Sequence, residues 1–436
     1  MAVQKHMYPF IIIIILSFIS CNTSLRDGPS HSKYVQEESG FDFENSAKLQ
    51  TGIYGFKTFQ RLAASANTIN VDDFGAKGDG THDDTQAFQM AWQKACSSTG
   101  AILVVPQKKN YLLKPIRFSG PCKSKLTMQI YGTITASSDR SDYNTQDKHW
   151  LMFDSIQNLI VEGGGVINGN GKIWWQNSCK INKALPCKDA PTALTFYNGN
   201  NLILNNLKIQ DAQQIHVSFE KCVNVQASNL KVTAPATSPN TDGIHVTDTQ
   251  NVQISNCVIG TGDDCISIVS GSQKVQATAI TCGPGHGISI GSLGSQNSKA
   301  YVSDVTVNGA TFYGTENGVR IKTWPGGSGS ASGIKFQNID MHDVTNPIII
   351  DQNYCDQDKS CPQKSSTIQV NNVIYQNIKG TSASDVAVNL DCSNSFPCQG
   401  VVLQNINIVK QGGGEAKALC TNVSLKKLGA VLPQCT

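Results

Sequence analysis

Four short phrases between Asn240 and Lys322 share one local pattern: Asn240-Thr241-Asp242-Gly243-Ile244, Gly262-Asp263-Asp264-Cys265-Ile266, Gly285-His286-Gly287-Ile288 and Gly318-Val319-Arg320-Ile321-Lys322. Twenty-two positions separate Asp242 from Asp264 and Asp264 from His286, and Ile244, Ile266 and Ile288 keep the same step. Polar and apolar residues that recur together at a fixed interval point to stacked, equivalent structural units. If each step is one coil of a solenoid, three carboxylates and a histidine converge on one patch.

A looser repeat runs through the wider chain. Asn201-Leu202-Ile203-Leu204-Asn205-Asn206-Leu207 resembles the phrases that begin at Asn224 and Asn251, and further copies begin near Lys274, Tyr301, Gly333, Asn372 and Gly400. The starts step by 23, 27, 23, 27, 32, 39 and 28 residues. Most of these fall short of the roughly 40 to 50 residues of a propeller blade, and their inequality excludes a strict short-period repeat. Each unit holds two or three short alternating strands joined by Gly- and Asn-containing turns. Strands that short bury their apolar side only when coils stack in parallel, about 4.8 Å apart. The predicted fold is therefore all-β, a right-handed parallel β-helix. Inward positions are Ile244, Val246, Ile266, Ile268, Ile288, Ile290, Val319 and Ile321; outward ones are His245, Ser267, Ser289, Arg320 and Lys322.

Upstream, Ile69 to Phe74 reads as a short strand. Phe88, Met90, Ala91, Trp92 and Ala95 give the segment Thr85 to Cys96 an apolar helical face, and Asp83 and Asp84 complement the dipole at its start. A short N-terminal capping helix of this kind covers the open first coil of a solenoid. The glycines from Gly75 to Gly80 lack the Lys and Ser or Thr of a phosphate loop.

The amino terminus runs from Lys5 and His6 through the apolar stretch Phe10 to Ile19 to Ser20, Cys21 and Asn22. That order predicts a secretory signal over 1–21, followed by a propeptide or flexible segment over 22–66 and a catalytic β-helix over 67–436. Of 15 cysteines, several form close pairs: Cys179 and Cys187, Cys265 and Cys282, Cys355 and Cys361, Cys392 and Cys398, Cys420 and Cys435. Such spacings suit disulfides in an oxidising compartment, and metal binding would ask for tighter gaps with histidines nearby. Cys96 with Cys122 is a weaker pair; Cys222 with Cys257 reads equally well as two buried thiols. Asn22 and Asn422 match the glycosylation pattern. A net charge of +3 over 436 residues gives no reason to expect nucleic acid or a general anionic surface, so a polyanion has to be gripped locally. The expectation is a secreted, extracellular monomer with no membrane contact after cleavage and no cofactor.

Unbroken alternation would turn Asp242 and Asp264 into the core with the isoleucines two places on. Burying unpaired carboxylates costs several kcal/mol, which predicts bends at Gly243, Cys265 and Gly287 that leave them on a cleft rim. Crowded carboxylates resist common ionisation, so one keeps its proton beside ionised neighbours, the division of labour that glycoside hydrolysis requires. Arg320 and Lys322 offer two cations about 7 Å apart along one strand, suited to an acidic sugar's carboxylate. A Ser289, His286 and Asp263 hydrolase triad is possible on composition but lacks the strand-to-helix nucleophile turn. A wall-binding β-helix without activity would show degenerate carboxylates or an interrupted Arg320 and Lys322 pair, and neither is seen.

Ser238-Pro239-Asn240-Thr241-Asp242-Gly243, Gly262-Asp263-Asp264, Cys282-Gly283-Pro284-Gly285-His286-Gly287 and Arg320-Ile321-Lys322, in this order, resemble the four signature segments of the polygalacturonases, glycoside hydrolase family 28. The likeness runs from about Val71 to the carboxyl terminus, is nearest to plant members, and includes Asp189 to Leu194 and Asp351 to Cys355. It implies hydrolysis of α-1,4 bonds in the galacturonan backbone of pectin, with inversion and without metal. By the same resemblance Asp263 matches the general acid, Asp242 and Asp264 the pair that activates water, and His286 the residue that maintains the acid's protonation. Arg320 and Lys322 match the grip on the substrate carboxylate, and Asn240 and Tyr354 are further cleft contacts. Endo action is expected, with exo action as the alternative, since loops at the cleft ends decide between them.

Overall fold

A computed structural model describes residues 67–143, 148–187, 190–356 and 364–435, all within the unit Phe59–Thr436. The expected signal and propeptide, with Asn22, Asp189 and Cys361, lie outside the described residues. The chain forms the expected right-handed parallel β-helix, its strands gathered in a 19-stranded sheet and an 11-stranded one.

Corners explain the asparagine repeat. Asn201, Asn224, Asn251, Lys274, Asp304, Gly333, Asn372 and Gly400 all have φ between 52° and 65°. Asn and Asp tolerate this left-handed conformation better than other side chains, and Gly takes it freely. The asparagines also bond along the stack: Asn224 Nδ2 donates to Asn201 Oδ1 at 2.9 Å, and Asn251 Nδ2 to Asn224 Oδ1 at 2.6 Å. One repeat start was misplaced in the sequence. Val275 pairs with Val305 and Val305 with Ile334, so the corner is Asp304 rather than Tyr301, and the steps there are 30 and 29. An aspartate suits the left-handed corner where a tyrosine would be strained.

The site-bearing sheet is the 11-stranded one, and its inward side chains stack in register. Phe118, Phe153, Phe196 and Phe219 form a stacked column with ring centroids 4.9 to 5.2 Å apart. The same row continues through Val246, Ile268, Ile290, Ile321, Ile350 and Leu390. All eight inward residues expected from the sequence are fully buried.

At the N-terminal end the helix Thr85–Cys96 buries Phe88, Ala91, Trp92 and Ala95 against the first coils, with Trp92 5.0 Å from Phe118. Met90, expected on that face, is 39% exposed. Thr85 N–H bonds to Asp83, whereas the Asp84 carboxylate accepts from Lys77 and Gly78 N–H and anchors the preceding turn. The expected strand Ile69 to Phe74 is shorter: Thr68–Asn70 is strand, and the Asn70 side chain accepts from Asp72 N–H to open a single 3₁₀ turn over Val71–Phe74. Disulfides join Cys96–Cys122, Cys179–Cys187, Cys265–Cys282, Cys392–Cys398 and Cys420–Cys435. Cys355 is also disulfide-bonded, while Cys222 and Cys257 are buried free thiols. Asn422 donates its side-chain amide to Cys392 O and Asn394 Oδ1, bonds that compete with a glycan at that nitrogen.

Ile290 stands between Ile268 and Ile321 in the core row. Ile290→Ala is expected to destabilise the fold by about 2–5 kcal/mol, against less than about 0.5 kcal/mol for Val258→Ala at an exposed position, read as shifts in denaturant midpoint.

Candidate active site

Four neighbouring strands, Ile244–Thr247, Ile266–Ile268, Ile288–Leu293 and Asn317–Thr323, make the floor of the site. The chain bends at Gly243 and Cys265 immediately before the first two. At the third, Gly287 has φ +83°, and a Cβ there would collide with the Asn317 and Gly318 carbonyl oxygens, so only glycine fits. The bends keep Asp242 and Asp264 out of the core, as expected.

Asp264 is nevertheless buried, at 2% exposure, rather than on the rim. Its charge is met on every side. Oδ1 accepts from Ser289 Oγ at 2.8 Å and Arg320 Nη2 at 2.9 Å, and Oδ2 accepts from Lys322 Nζ at 2.9 Å. Paired, hydrogen-bonded ions of this kind tolerate burial where single ones do not. Arg320 also donates from Nε to Ser289 Oγ at 3.1 Å. Ser289 is thus committed to Asp264 and Arg320 and fully buried, which argues against a serine nucleophile.

Asp263 turns the other way. Its Oδ1 lies 3.0 Å from His286 Nδ1 and accepts the Asp264 N–H at 2.8 Å. The second His286 nitrogen, Nε2, lies 3.2 Å from Glu316 Oε2. Asp242 accepts from Ser267 Oγ at 2.6 Å, and Ser267 in turn contacts His245 Nδ1 at 2.8 Å.

The carboxylates differ in proton affinity. Burial, then the charges of Asp263 and Asp264, push the Asp242 carboxyl up, against the opposing pull of His245. Burial also works to raise Asp263, but the His286 hydrogen bond and charge, with Lys322, hold it below the usual carboxylate range. The hydrogen bond to Asp263 raises His286 above an ordinary imidazole despite its partial burial. The site therefore binds a proton more tightly at Asp242 than at Asp263, and more tightly at His286 than an ordinary imidazole does. Asp263, Asp264 and His286 bring possible metal-ligand atoms within 4.8 Å of one another. A divalent ion would have to displace Arg320 and Lys322 from Asp264, so this donor set does not fit a resident metal.

Asn240, Asp263, His286, Arg320, Lys322 and Tyr354 line one cleft of about 350 Å³. Tyr354 stands with its ring 5.2 Å from Lys322 Nζ and 6.0 Å from Arg320 Cζ. Asp242 and Asp264 lie outside its lining; Asp242 keeps 16% side-chain exposure. A second chamber of about 330 Å³ shares Lys180, Pro239, Asn240 and Asp356 with the first and continues to Arg140 and Trp174. Lys180 Nζ meets Asp356 Oδ1 at 2.7 Å, linking the Cys179–Cys187 loop to the segment after strand Asn346–Asp351. Sequence reading missed Lys180, Asp356 and Glu316. Lys180 and Asp356 meet across 176 positions, so local pattern carries no trace of the contact; Glu316, just ahead of the Arg320 strand, was within reach of the coil alignment. A larger apolar groove of about 510 Å³ near Leu419 and Leu432 holds none of this chemistry.

Residues 96–430 match the model for glycosyl hydrolases family 28. The chain is 63% identical to a polygalacturonase of Persea americana, over 97% of this chain and 95% of that protein. It is 55% identical to polygalacturonase-2 of Solanum lycopersicum, over 100% and 97% respectively. Among solved structures it resembles the endo-xylogalacturonan hydrolase of Aspergillus tubingensis, with a TM-score of 0.73, 26% identity and coverage of 84% of this chain and all of that one. With the fold, the four signature segments and these matches in agreement, the chain belongs to glycosyl hydrolases family 28.

Proposed function

We propose that the protein is a polygalacturonase that hydrolyses α-1,4-galacturonosidic bonds of pectin by inversion, with Asp263 as general acid and Asp242 with Asp264 activating water. The observation that carries this reading is the split among three aspartates set in one short stretch of neighbouring coils. Asp263 meets His286 at 3.0 Å, Asp264 meets Arg320 and Lys322 at 2.9 Å each, and Asp242 accepts from Ser267 at 2.6 Å, so each carboxylate faces a different partner.

Burial raises the proton affinity of Asp242 while His286 and Lys322 lower that of Asp263, so the acid role needs a further source of proton affinity at Asp263. Substrate corrects this balance. A galacturonate carboxylate that engages Lys322 removes one of the charges that lowers Asp263, and its own negative charge adds to the effect of burial. In the acid role Asp263 gives its proton to the leaving oxygen, and Asp242 takes one from the attacking water. Arg320 spends Nε on Ser289 and Nη2 on Asp264, which leaves Nη1 for the sugar carboxylate. Lys322 keeps two further ammonium hydrogens for the same task.

Inversion rests on the family resemblance rather than on carboxylate spacing. Asp263 and Asp264 already bring oxygens within 4.8 Å, where inverting pairs usually stand roughly 6.5 to 9.5 Å apart. The two chambers that share Lys180 and Asp356 support binding on both sides of the cut bond, hence endo action. The disulfides support secretion into an oxidising compartment, the cell wall for a pectin hydrolase.

Purified protein incubated with polygalacturonate is expected to release reducing ends, as long oligomers first and short ones later; monomer from the outset means exo action. Asp263→Asn is expected to lower kcat by about 10²–10⁴-fold, and undiminished turnover rules out its acid role. Proton NMR of the earliest products reports stereochemistry: the β-anomer appears first under inversion, whereas initial α-anomer overturns it.

A further inference from the structure

Asp263, His286 and Glu316 occupy the same turn in three successive coils, each just ahead of its floor strand. Backbone bonds lock that line. His286 N–H donates to Asp263 O, and Glu316 N–H to Gly285 O, both at 2.8 Å; Asn346 N–H and Nδ2 donate to Glu316 O at 2.9 and 3.1 Å. Asn317 Nδ2 adds a bond to His286 O at 3.3 Å. From this fixed backbone the Glu316 side chain reaches Nε2 of the ring whose Nδ1 faces Asp263. Its carboxylate makes no other ion pair among the described residues. An imidazole flanked by carboxylates at both nitrogens is held as the cation, with both N–H groups directed.

We propose that Glu316 is a positioning residue that holds His286 doubly protonated, with the Nδ1 hydrogen aimed at Asp263, and thereby sets the upper pH limit of catalysis. This rests on the roles given above to Asp263 and His286. The charges around His286 are Asp263 and Asp264 from one turn, Glu316 from the next, Arg320 and Lys322 from the following strand, and the Lys180–Asp356 pair lining the same cleft. The acids supply the charges that raise His286, Asp263 foremost and Glu316 beyond it. The sign follows. A raised imidazole stays cationic as pH climbs past about 6.5 and loses its proton only at the higher folded value, so removing the Glu316 charge brings that loss to lower pH. Glu316 is 57% exposed, so the pair is screened by solvent and the effect is modest.

The test uses the full-length protein and two readouts. In Glu316→Gln the alkaline limb of kcat/KM on polygalacturonate is expected to move down by roughly half a pH unit. Glu316→Asp restores most of that shift, and Glu415→Gln, at a remote exposed glutamate, leaves the limb in place. Raising salt should narrow the difference between wild type and Glu316→Gln. Imidazole ¹⁵N titration of the free protein, with His286 assigned through His286→Gln, is expected to show the same downward move without any substrate. An unmoved His286 titration overturns the proposal, as does a change confined to KM with the limb fixed, which would make Glu316 a substrate contact. A moved titration in a protein inactive on polygalacturonate upholds the Glu316 contact and removes the polygalacturonase reading alone.

Discussion

In-register parallel stacking is the constraint on which everything else depends. Each floor strand pairs residue for residue with the next, so Ile266 faces Ile288 and Ser267 faces Ser289. A side chain at a given corner consequently has its counterpart one coil away, close to the strand spacing of about 4.8 Å. His286 reaches both Asp263 and Glu316 for this reason, although 53 positions of sequence separate those two acids. The left-handed corners preserve the register by turning the chain at equivalent points while coil length varies. Extra residues in a coil are then absorbed in loops, which is why a 39-residue step and a 23-residue step coexist in one solenoid.

On that scaffold the site solves a charge problem. Isolated carboxylates next to the core would be costly, and unpaired Arg320 and Lys322 equally so. Setting both cations on Asp264 offsets these penalties and fixes the orientation of all three groups. With Asp264 saturated, the remaining carboxylates respond to different neighbours: Asp263 to His286, Asp242 to burial and to the nearby acids. Proton placement is thus an outcome of where each aspartate faces, even though Asp263 and Asp264 are adjacent in the chain.

The loops beside the floor add what the coils cannot. The Cys179–Cys187 bond restrains one of them, and the Lys180–Asp356 contact joins it to the segment carrying Tyr354 and the disulfide-bonded Cys355. Half-exposed ion pairs contribute little stability. The Lys180–Asp356 pair instead lines both chambers and ties their walls together.

Sequence alone determined the solenoid, because the 22-residue step of Asp242, Asp264 and His286, the alternation of the isoleucines and the recurring asparagines each record a physical demand of stacked coils. It also indicated which side chains share a patch, and the resemblance of the four signature segments supplied the roles proposed for them. The tertiary structure decided the rest. Asp304 rather than Tyr301 turns a corner, because backbone conformation outweighs surface similarity between phrases. Asp264 is buried with Arg320 and Lys322 rather than open to the cleft, and Asp263 rather than Asp242 is the carboxyl held below its usual range. Glu316 and Lys180 entered through contacts across coils and loops. Such facts depend on distances between residues remote in the chain, and electrostatic energies change steeply with distance and burial.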